Sequence, residues 1–279
     1  MSHEADDLTE HVRAALAGDK SAARALLLAV QDDVYGLALR MLGHPADAED
    51  AAQEILIIAL THLASFRAES SFKTWLWRIA VNHLARAKRG RRETLSFEDL
   101  GERLQTGLRD AAPGPDPEAN ALTRELRLRC TEAMLLSLDR ELRVAYILGD
   151  ILNLSGDEAA AVLELEPDAY RKRLSRARTR LYDFMRGWCG VFDARNPCGC
   201  AGQVDAAVER GLIAAEDLYL SARRKQPLRP ELDRATREVS DLMRVAEVIR
   251  GPAEYGAPES LQQSLRALLT ADGLELLRH

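Results

Sequence analysis

The chain has 279 residues, of which 47% are hydrophobic, 29% charged and 5% aromatic, and its 38 Lys and Arg against 44 Asp and Glu leave a net charge of −6. That composition is globular, with room for about two domains, and excludes a collagenous, disordered or disulfide-framework protein, four cysteines being too few for the last. No apolar run approaches the roughly 20 residues of a membrane span, and the opening MSHEADDLTE lacks the basic start and apolar core of a signal peptide, so a soluble, cytoplasmic chain is expected.

Ala, Leu, Arg and Glu dominate, apolar residues recur every three or four positions, and there is no alternating β-branched run or Asn-Gly hairpin signal. An all-α fold follows. The charge is uneven: residues 1–60 carry −7, 61–95 carry +6, 96–166 carry −8 and 167–186 carry +5. An acidic chain therefore holds two compact basic blocks, each where a helix is expected.

Residues 1–19 read as an N-terminal tail and 20–95 as a first helical domain. Within it DAEDAAQE, Asp47 to Glu54, places carboxylates at a helix start, where they suit the positive end of the dipole. The first basic block, Ser65 to Arg92, sets two tryptophans and two phenylalanines beside Lys73, Arg78 and Arg86. Aromatic faces next to cations suit unstacked bases, at about 1–3 kcal/mol per stacked base. Trp75, Leu76, Ile79 and Ala80 read as core, whereas Arg86, Lys88, Arg89, Arg91 and Arg92 read as a phosphate-holding cluster, with Gly90 loosening the helix end.

Residues 96–121 read as a linker, because AAPGPDPEAN, Ala111 to Asn120, has three prolines and a glycine, and helix is not expected to persist across it. A second domain, 122–186, follows. Ser155 with Glu158 forms a capping-box pattern; a Glu-Pro turn and the helix Asp168 to Arg186 come next. At 100° per residue Tyr170, Leu174, Ala177, Leu181 and Phe184 fall on an inner stripe. Lys172, Ser175, Arg176 and Thr179 point the opposite way, with Arg171, Arg173, Arg178 and Arg180 on the flanks. Short helix, turn and longer basic helix make a helix-turn-helix pattern whose second helix can enter a major groove. A solvated basic face is the competing reading of that helix alone; the capping box and the turn ahead of it favour DNA.

The last segment, 187–279, reads as a helical C-terminal extension. Cys189, Cys198 and Cys200 lie within twelve residues, and Asp193 or the more distant Cys130 would complete a tetrahedron for zinc. Three thiolates alone would suit a softer, low-coordinate ion such as copper(I), and free or redox-active thiols are the alternative. Pro230 could open a helix with a stripe from Leu232 through Val239 to Ile249, and Pro258 a shorter one carrying Leu261, Leu265, Leu268 and Leu269.

DAEDAAQE, FRAESSFKTWLWRIAVN (Phe66 to Asn82) and RKRLSRARTRL (Arg171 to Leu181), in that order, resemble the extracytoplasmic-function group of bacterial sigma factors over about residues 20–186. The resemblance implies an all-α initiation factor that joins core RNA polymerase and directs it to promoter DNA, with no catalysis and no required cofactor of its own. It implies docking of Asp50, Gln53 and Glu54 on the clamp helices of the polymerase's largest subunit. For the minus-ten element it implies a loop from Arg67 to Phe72 that captures a flipped base, involving Arg67, Ser70, Ser71 and Lys73, with Asn82 and Arg86 further along the helix. For the minus-thirty-five element it points to Arg171, Lys172, Arg173, Ser175, Arg176 and Arg178. This chain has Asp-Ala-Tyr-Arg-Lys at 168–172, where many members have Gly-Thr-Val-Lys-Ser. Some relatives carry C-terminal extensions that regulate the factor, so either a separate anti-sigma factor or self-inhibition by residues 187–279 is expected; a stabilising cap with no sensory role is the alternative. The competing function is a helix-turn-helix repressor or activator that never joins polymerase, which leaves DAEDAAQE and the aromatic-basic block unexplained. Enzyme motifs such as HExxH, GxSxG or a Gly-rich phosphate loop do not occur, and the six histidines are scattered.

Overall fold

The computed structural model describes residues 2–87, 95–108, 117–216, 218–222, 245, 248–249 and 255–268. Among these, every regular element is a helix, and Cys189 and Cys198 form an isolated bridge. The helices are α1 (Ser2–Leu16), α2 (Lys20–Leu42), α3 (Pro45–Thr61), α4 (Phe72–Arg86), α5 (Phe97–Gly107) and α6 (Pro117–Leu136). They continue with α7 (Arg140–Tyr146), which runs into a π turn (Ile147–Ile151), then α8 (Gly156–Val162), α9 (Pro167–Trp188), α10 (Val204–Glu209), α11 (Tyr219–Ala222) and α12 (Glu259–Leu268).

The segment read as a tail is thus helical, and its Val12 and Ala15 are buried. The segment read as a linker holds α5, started by a capping box between Ser96 and Asp99. It also holds the beginning of α6 at Pro117, a residue whose fixed φ and missing N–H suit a first helical position. Between α5 and α6, residues 109–116 lie outside the described set, as does the stripe expected from Leu232 except for Ile249, which is buried.

Helix α2 is the axis of the molecule. It is buried on every side from Val34 to Leu42 and along one face before that, from Ala22 to Gln31. Asp19 caps its start, accepting from the amides of Ser21 and Ala22 at 2.8 and 3.2 Å; the Ser21 hydroxyl, donating at 2.7 Å, and then these amides hold its carboxyl below the usual range. Gly43 ends it at φ 70°, a left-handed conformation, donating to the Leu39 carbonyl at 2.7 Å. A Cβ there would stand 2.2 Å from Leu136, at the end of α6, so the C-termini of α2 and α6 meet at this glycine.

Arg143 of α7 closes both ends. It is 1% exposed and donates to the carbonyls of Leu135, Leu136 and Leu138 at 2.9, 2.9 and 3.0 Å, and to that of Met41 on α2. Helix C-termini carry partial negative charge, so two of them help to hold a cation that burial would otherwise expel. One continuous apolar core extends from Val12 through α2–α4 and α7–α9 to Leu261 and Leu265 of α12. Arg143→Met should cost about 3 kcal/mol or more in denaturant-measured stability, because several buried carbonyls lose their donor together. A loss below about 1 kcal/mol would mean that apolar packing alone joins α2 to α6.

Candidate nucleic-acid and polymerase interface

Helix α4 starts where Ser71 caps it, Oγ accepting from the Thr74 amide at 3.0 Å. Ser71 thus has a structural task besides its expected DNA contact. Before it, Ala68 adopts φ 55° and turns the loop, leaving Arg67 and Ser70 exposed. Phe66, Phe72 and Trp75 form a cluster with ring centroids 5.6–5.8 Å apart. Leu76, Trp77 and Ala80 are buried and Trp75 and Ile79 half-buried, so the tryptophan helix faces the core as expected. Lys73 reaches Asp33 at 2.9 Å in an exposed pair, which contributes little and can be exchanged for a phosphate.

Asn82 and Arg86 are exposed and line one groove of about 840 Å³ with Asp50 and Glu54 of α3. His83 stands 3.5 Å from Glu54 across it. The structure therefore brings the docking candidates Asp50 and Glu54 together with two of the DNA candidates, while Gln53 is half-buried on the same helix. Lys88, Arg89, Arg91 and Arg92 lie outside the described residues.

In the second domain the capping box is complete: Ser155 Oγ accepts from the Glu158 amide at 3.3 Å, and Glu158 accepts from the Ser155 amide at 2.9 Å. The Ser155 hydroxyl, which donates to the Glu158 carboxylate at 2.7 Å, and then the Ser155 amide hold that carboxyl below its usual range. After α8 the chain turns at Glu164, φ 54°, and enters α9 through Pro167. Tyr170, Ala177, Leu181 and Phe184 are buried and Leu174 half-buried, while Lys172, Ser175, Arg176 and Thr179 are all exposed, as the helical period requires. Tyr170 donates to the Ala145 carbonyl at 3.1 Å, and burial pushes its hydroxyl up to about 12.

The flanking arginines are already engaged. Arg178 makes a two-pronged pair with the buried Asp150 of the π turn, at 2.8 and 2.7 Å, and these bonds raise its guanidinium further. Arg173 pairs with Glu141 at 3.3 Å, Arg180 with Asp139 at 2.8 Å, and Arg171 with Asp168. Of the six positions expected to meet DNA on α9, Lys172, Ser175 and Arg176 present an unobstructed face, whereas Arg178 orients the helix.

Sequence reasoning missed the contacts that join the two domains. Arg140 of α7 donates to the carbonyls of Leu84, Ala85 and Ala87 at 3.3, 3.2 and 2.7 Å, closing the end of α4. Arg78 of α4 reaches the Ala161 carbonyl near the end of α8 at 3.2 Å, with Glu164 at 4.0 Å. The extension adds a bridge. Tyr255 donates to Glu132 of α6 at 3.0 Å while its ring lies 4.8 Å under Arg40 of α2. The Ala257 amide donates to Asp32 of α2 at 2.7 Å, the Leu220 amide to Glu125 of α6 at 3.0 Å, and Tyr219 bonds Tyr35 of α2. Arginines inside otherwise apolar helical stretches, as in LALRML and ELRVAYIL, were the one signal that could have pointed here.

All four cysteines are free thiols. Burial pushes Cys198 up to about 12 and Cys200 to about 11, with neighbouring cysteines adding to both, and burial raises Cys130 as well. Among the described residues no group of three or more His, Cys, Asp or Glu is placed so that it could hold a metal ion, and no helix is long and apolar enough to cross a membrane.

The chain matches the family models for sigma-70 region 2 over residues 26–94 and sigma-70 region 4 over residues 128–181. It is 34% identical over 166 residues to the RNA polymerase sigma-H factor of Pseudomonas aeruginosa, covering 58% of this chain and 84% of that one. It is 35% identical over 167 residues to the ECF RNA polymerase sigma-E factor of Escherichia coli K12, covering 58% and 85%. Among solved structures it is similar to CnrH in complex with the cytosolic domain of CnrY, at TM-score 0.46 and 25% identity, covering 65% of this chain and 97% of that one. The chain belongs to the extracytoplasmic-function family of RNA polymerase sigma factors, proteins that direct the polymerase to begin transcription. Neither family model reaches residues 187–279.

Two neighbouring arginines of α9 should then behave oppositely. Arg178→Ala should lower stability by about 1–2 kcal/mol, less than for a fully buried pair because its guanidinium is partly solvated. Arg176→Ala should leave the melting temperature unchanged and weaken binding of a minus-thirty-five duplex. Equal thermal effects of the two would contradict the assignment.

Proposed function

We propose that this sigma factor exists in a closed form, braced by its own C-terminal extension, that must open before both of its DNA-reading domains can meet a promoter. The observation that carries the reading is the direct packing of α4 against α8, with Arg78 and Arg140 each closing a helix end of the other domain. The minus-ten and minus-thirty-five elements lie about 25 base pairs apart, roughly 85 Å at about 3.4 Å per step. A compact chain of this length has a radius of gyration of only about 19 Å. The closed form cannot span both elements.

In the open form, Asp50, Gln53 and Glu54 would dock on the clamp helices of the polymerase's largest subunit. The loop from Arg67 to Phe72, with Lys73, Asn82 and Arg86, would hold the melted minus-ten strand. Lys172, Ser175 and Arg176 would read the minus-thirty-five duplex, with Arg171 and Arg173 free to exchange an exposed carboxylate for a phosphate. The exposed basic face of α9 supports that last assignment, and the groove shared by α3 and α4 supports the first two. The chain supplies positioning and no bond chemistry, which belongs to the polymerase, and the cytoplasm is where both partners are found. No separate inhibitor is needed where Tyr219, Tyr255 and Ala257 already tie α2 to α6.

If the closed form dominates, apparent DNA affinity is reduced by the fraction of open molecules. Tyr255→Ala removes the stacking on Arg40 and the bond to Glu132, and should raise the affinity of the free full-length chain for a minus-thirty-five duplex by about tenfold, for an open population near 1–10%. Unchanged or weakened binding by a folded Tyr255→Ala chain would sink the self-inhibition reading. Lys172→Ala should instead weaken binding in both backgrounds and reduce the salt slope by about one.

A further inference from the structure

Beside Gly43 lies a cavity of about 180 Å³ whose wall is shared by α2, α5, α6 and the C-terminal extension. Leu39 of α2, Leu100 and Leu104 of α5, Leu126 and Leu136 of α6 and Ala207 of α10 line it with hydrocarbon. Close-packed interiors hold few voids larger than a water, and an apolar cavity of about 150 Å³ admits a molecule the size of benzene. This one has room for a small ligand.

Polar bonds hold the wall together. Gln203, buried, donates from Nε2 to the Leu104 carbonyl at 2.7 Å, and Arg210 donates to the Arg103 carbonyl at 3.0 Å and to Thr106 Oγ1 at 2.9 Å. These bonds seat the extension on α5. On α6, Arg129 pairs with Glu125 at 3.1 Å, and Glu125 also accepts from the Leu220 amide of the extension at 3.0 Å.

Two polar features adjoin the apolar space. Arg103, Arg129 and Arg210 line it, a concentration of one sign of charge that favours an anion. Glu132 lines it too and is only 6% exposed; one carboxyl oxygen accepts from Tyr255, but Oε2 has no hydrogen-bond partner among the described residues. A buried oxygen left unpaired is costly, and a hydroxyl, which can donate or accept, would satisfy it. Burial raises the Glu132 carboxyl above its ordinary range, and a hydroxyl serves either of its protonation states.

We propose that this cavity binds a small monocarboxylate whose apolar body, about the size of a benzene ring, carries a hydroxyl. The carboxylate meets the arginines, the body lies among the leucines, and the hydroxyl pairs with Glu132 Oε2. A mostly apolar pocket with a few placed polar groups is the usual design of a small-molecule site. Because the extension supplies part of the wall, the ligand binds the form in which the extension is packed and stabilises that form by mass action. Binding stands on the cavity alone. Its effect on opening rests on the self-inhibition reading above and is scored separately, by affinity for a minus-thirty-five duplex: binding with unchanged duplex affinity would support the site and overturn self-inhibition.

The full-length chain is titrated by calorimetry with the three hydroxybenzoate isomers, with benzoate and phenol as controls. At least one isomer should bind, one per chain, and raise the melting temperature. Its affinity should exceed those of benzoate, which lacks the hydroxyl, and of phenol, which lacks the carboxylate, by about tenfold or more. Methyl resonances of Leu104 and Leu126 should shift with it. Ala133→Leu, which carries a larger side chain into the cavity from α6, should abolish binding without lowering the melting temperature. Arg103→Ala, exposed at the rim, should weaken binding severalfold and leave the melting temperature of the free chain unchanged. No binding by any isomer, equal affinity for benzoate or phenol, or binding that survives Ala133→Leu in a folded chain would overturn the proposal.

Discussion

The arrangement of this chain depends on arginines placed at helix C-termini. Arg143 holds the carbonyl ends of α2 and α6 at one buried guanidinium, and Arg140, one turn earlier on α7, holds the end of α4. Arg78 does the same for α8 from the other domain. Each contact sets a cation against the partial negative charge of a helix end and satisfies carbonyls that no helix can satisfy for itself. Seven residues of α7 thus fix three helices of two domains, and every later feature, from the exposed face of α9 to the seat of the extension, follows from that placement.

An interface of this kind differs from a domain core. Arg143 is buried and belongs to the permanent structure, but Arg78 and Arg140 are only partly covered, and their carbonyl partners could accept from water as well. Hydrogen bonds of this type contribute roughly 1–3 kcal/mol each, enough to bias an equilibrium and not enough to forbid opening. The extension adds polar bonds of its own to α2 and α6. Glu132, which receives Tyr255, is held above the usual carboxyl range by burial, partly offset by Arg40 and that bond. A chain held by such contacts can release them when a larger surface, such as that of a polymerase, competes for the same groups.

Much of the fold was legible in the sequence because it rests on local rules. The helical period of α9 correctly separated Tyr170, Ala177 and Leu181 from Lys172, Ser175 and Arg176. The Ser155–Glu158 capping box formed as its spacing requires. Trp75 and Ile79 packed inward as their neighbours' pattern implied. What stayed hidden was long-range: the helical period puts Arg178 on a flank of α9, but only the approach of Asp150 from the π turn makes it a structural arginine. Proline content argued for a spacer around 111–120, yet Pro117 opens α6, because the same residue that interrupts a helix also suits its first turn. Tyr219 and Tyr255 carried no local signal at all, since their partners lie far away in sequence.

On the proposed mechanism the two DNA-reading domains are closed on each other in the free chain and separate on the polymerase. Paired spin or fluorescent labels at the exposed Ala64 and Asp183, introduced as non-natural residues so that the cysteines stay untouched, measure that separation directly. One short, narrow distance is expected in the free chain, lengthening by several nanometres once core polymerase and promoter DNA are added. An identical distance in both states, or a free chain that is already extended, would contradict it.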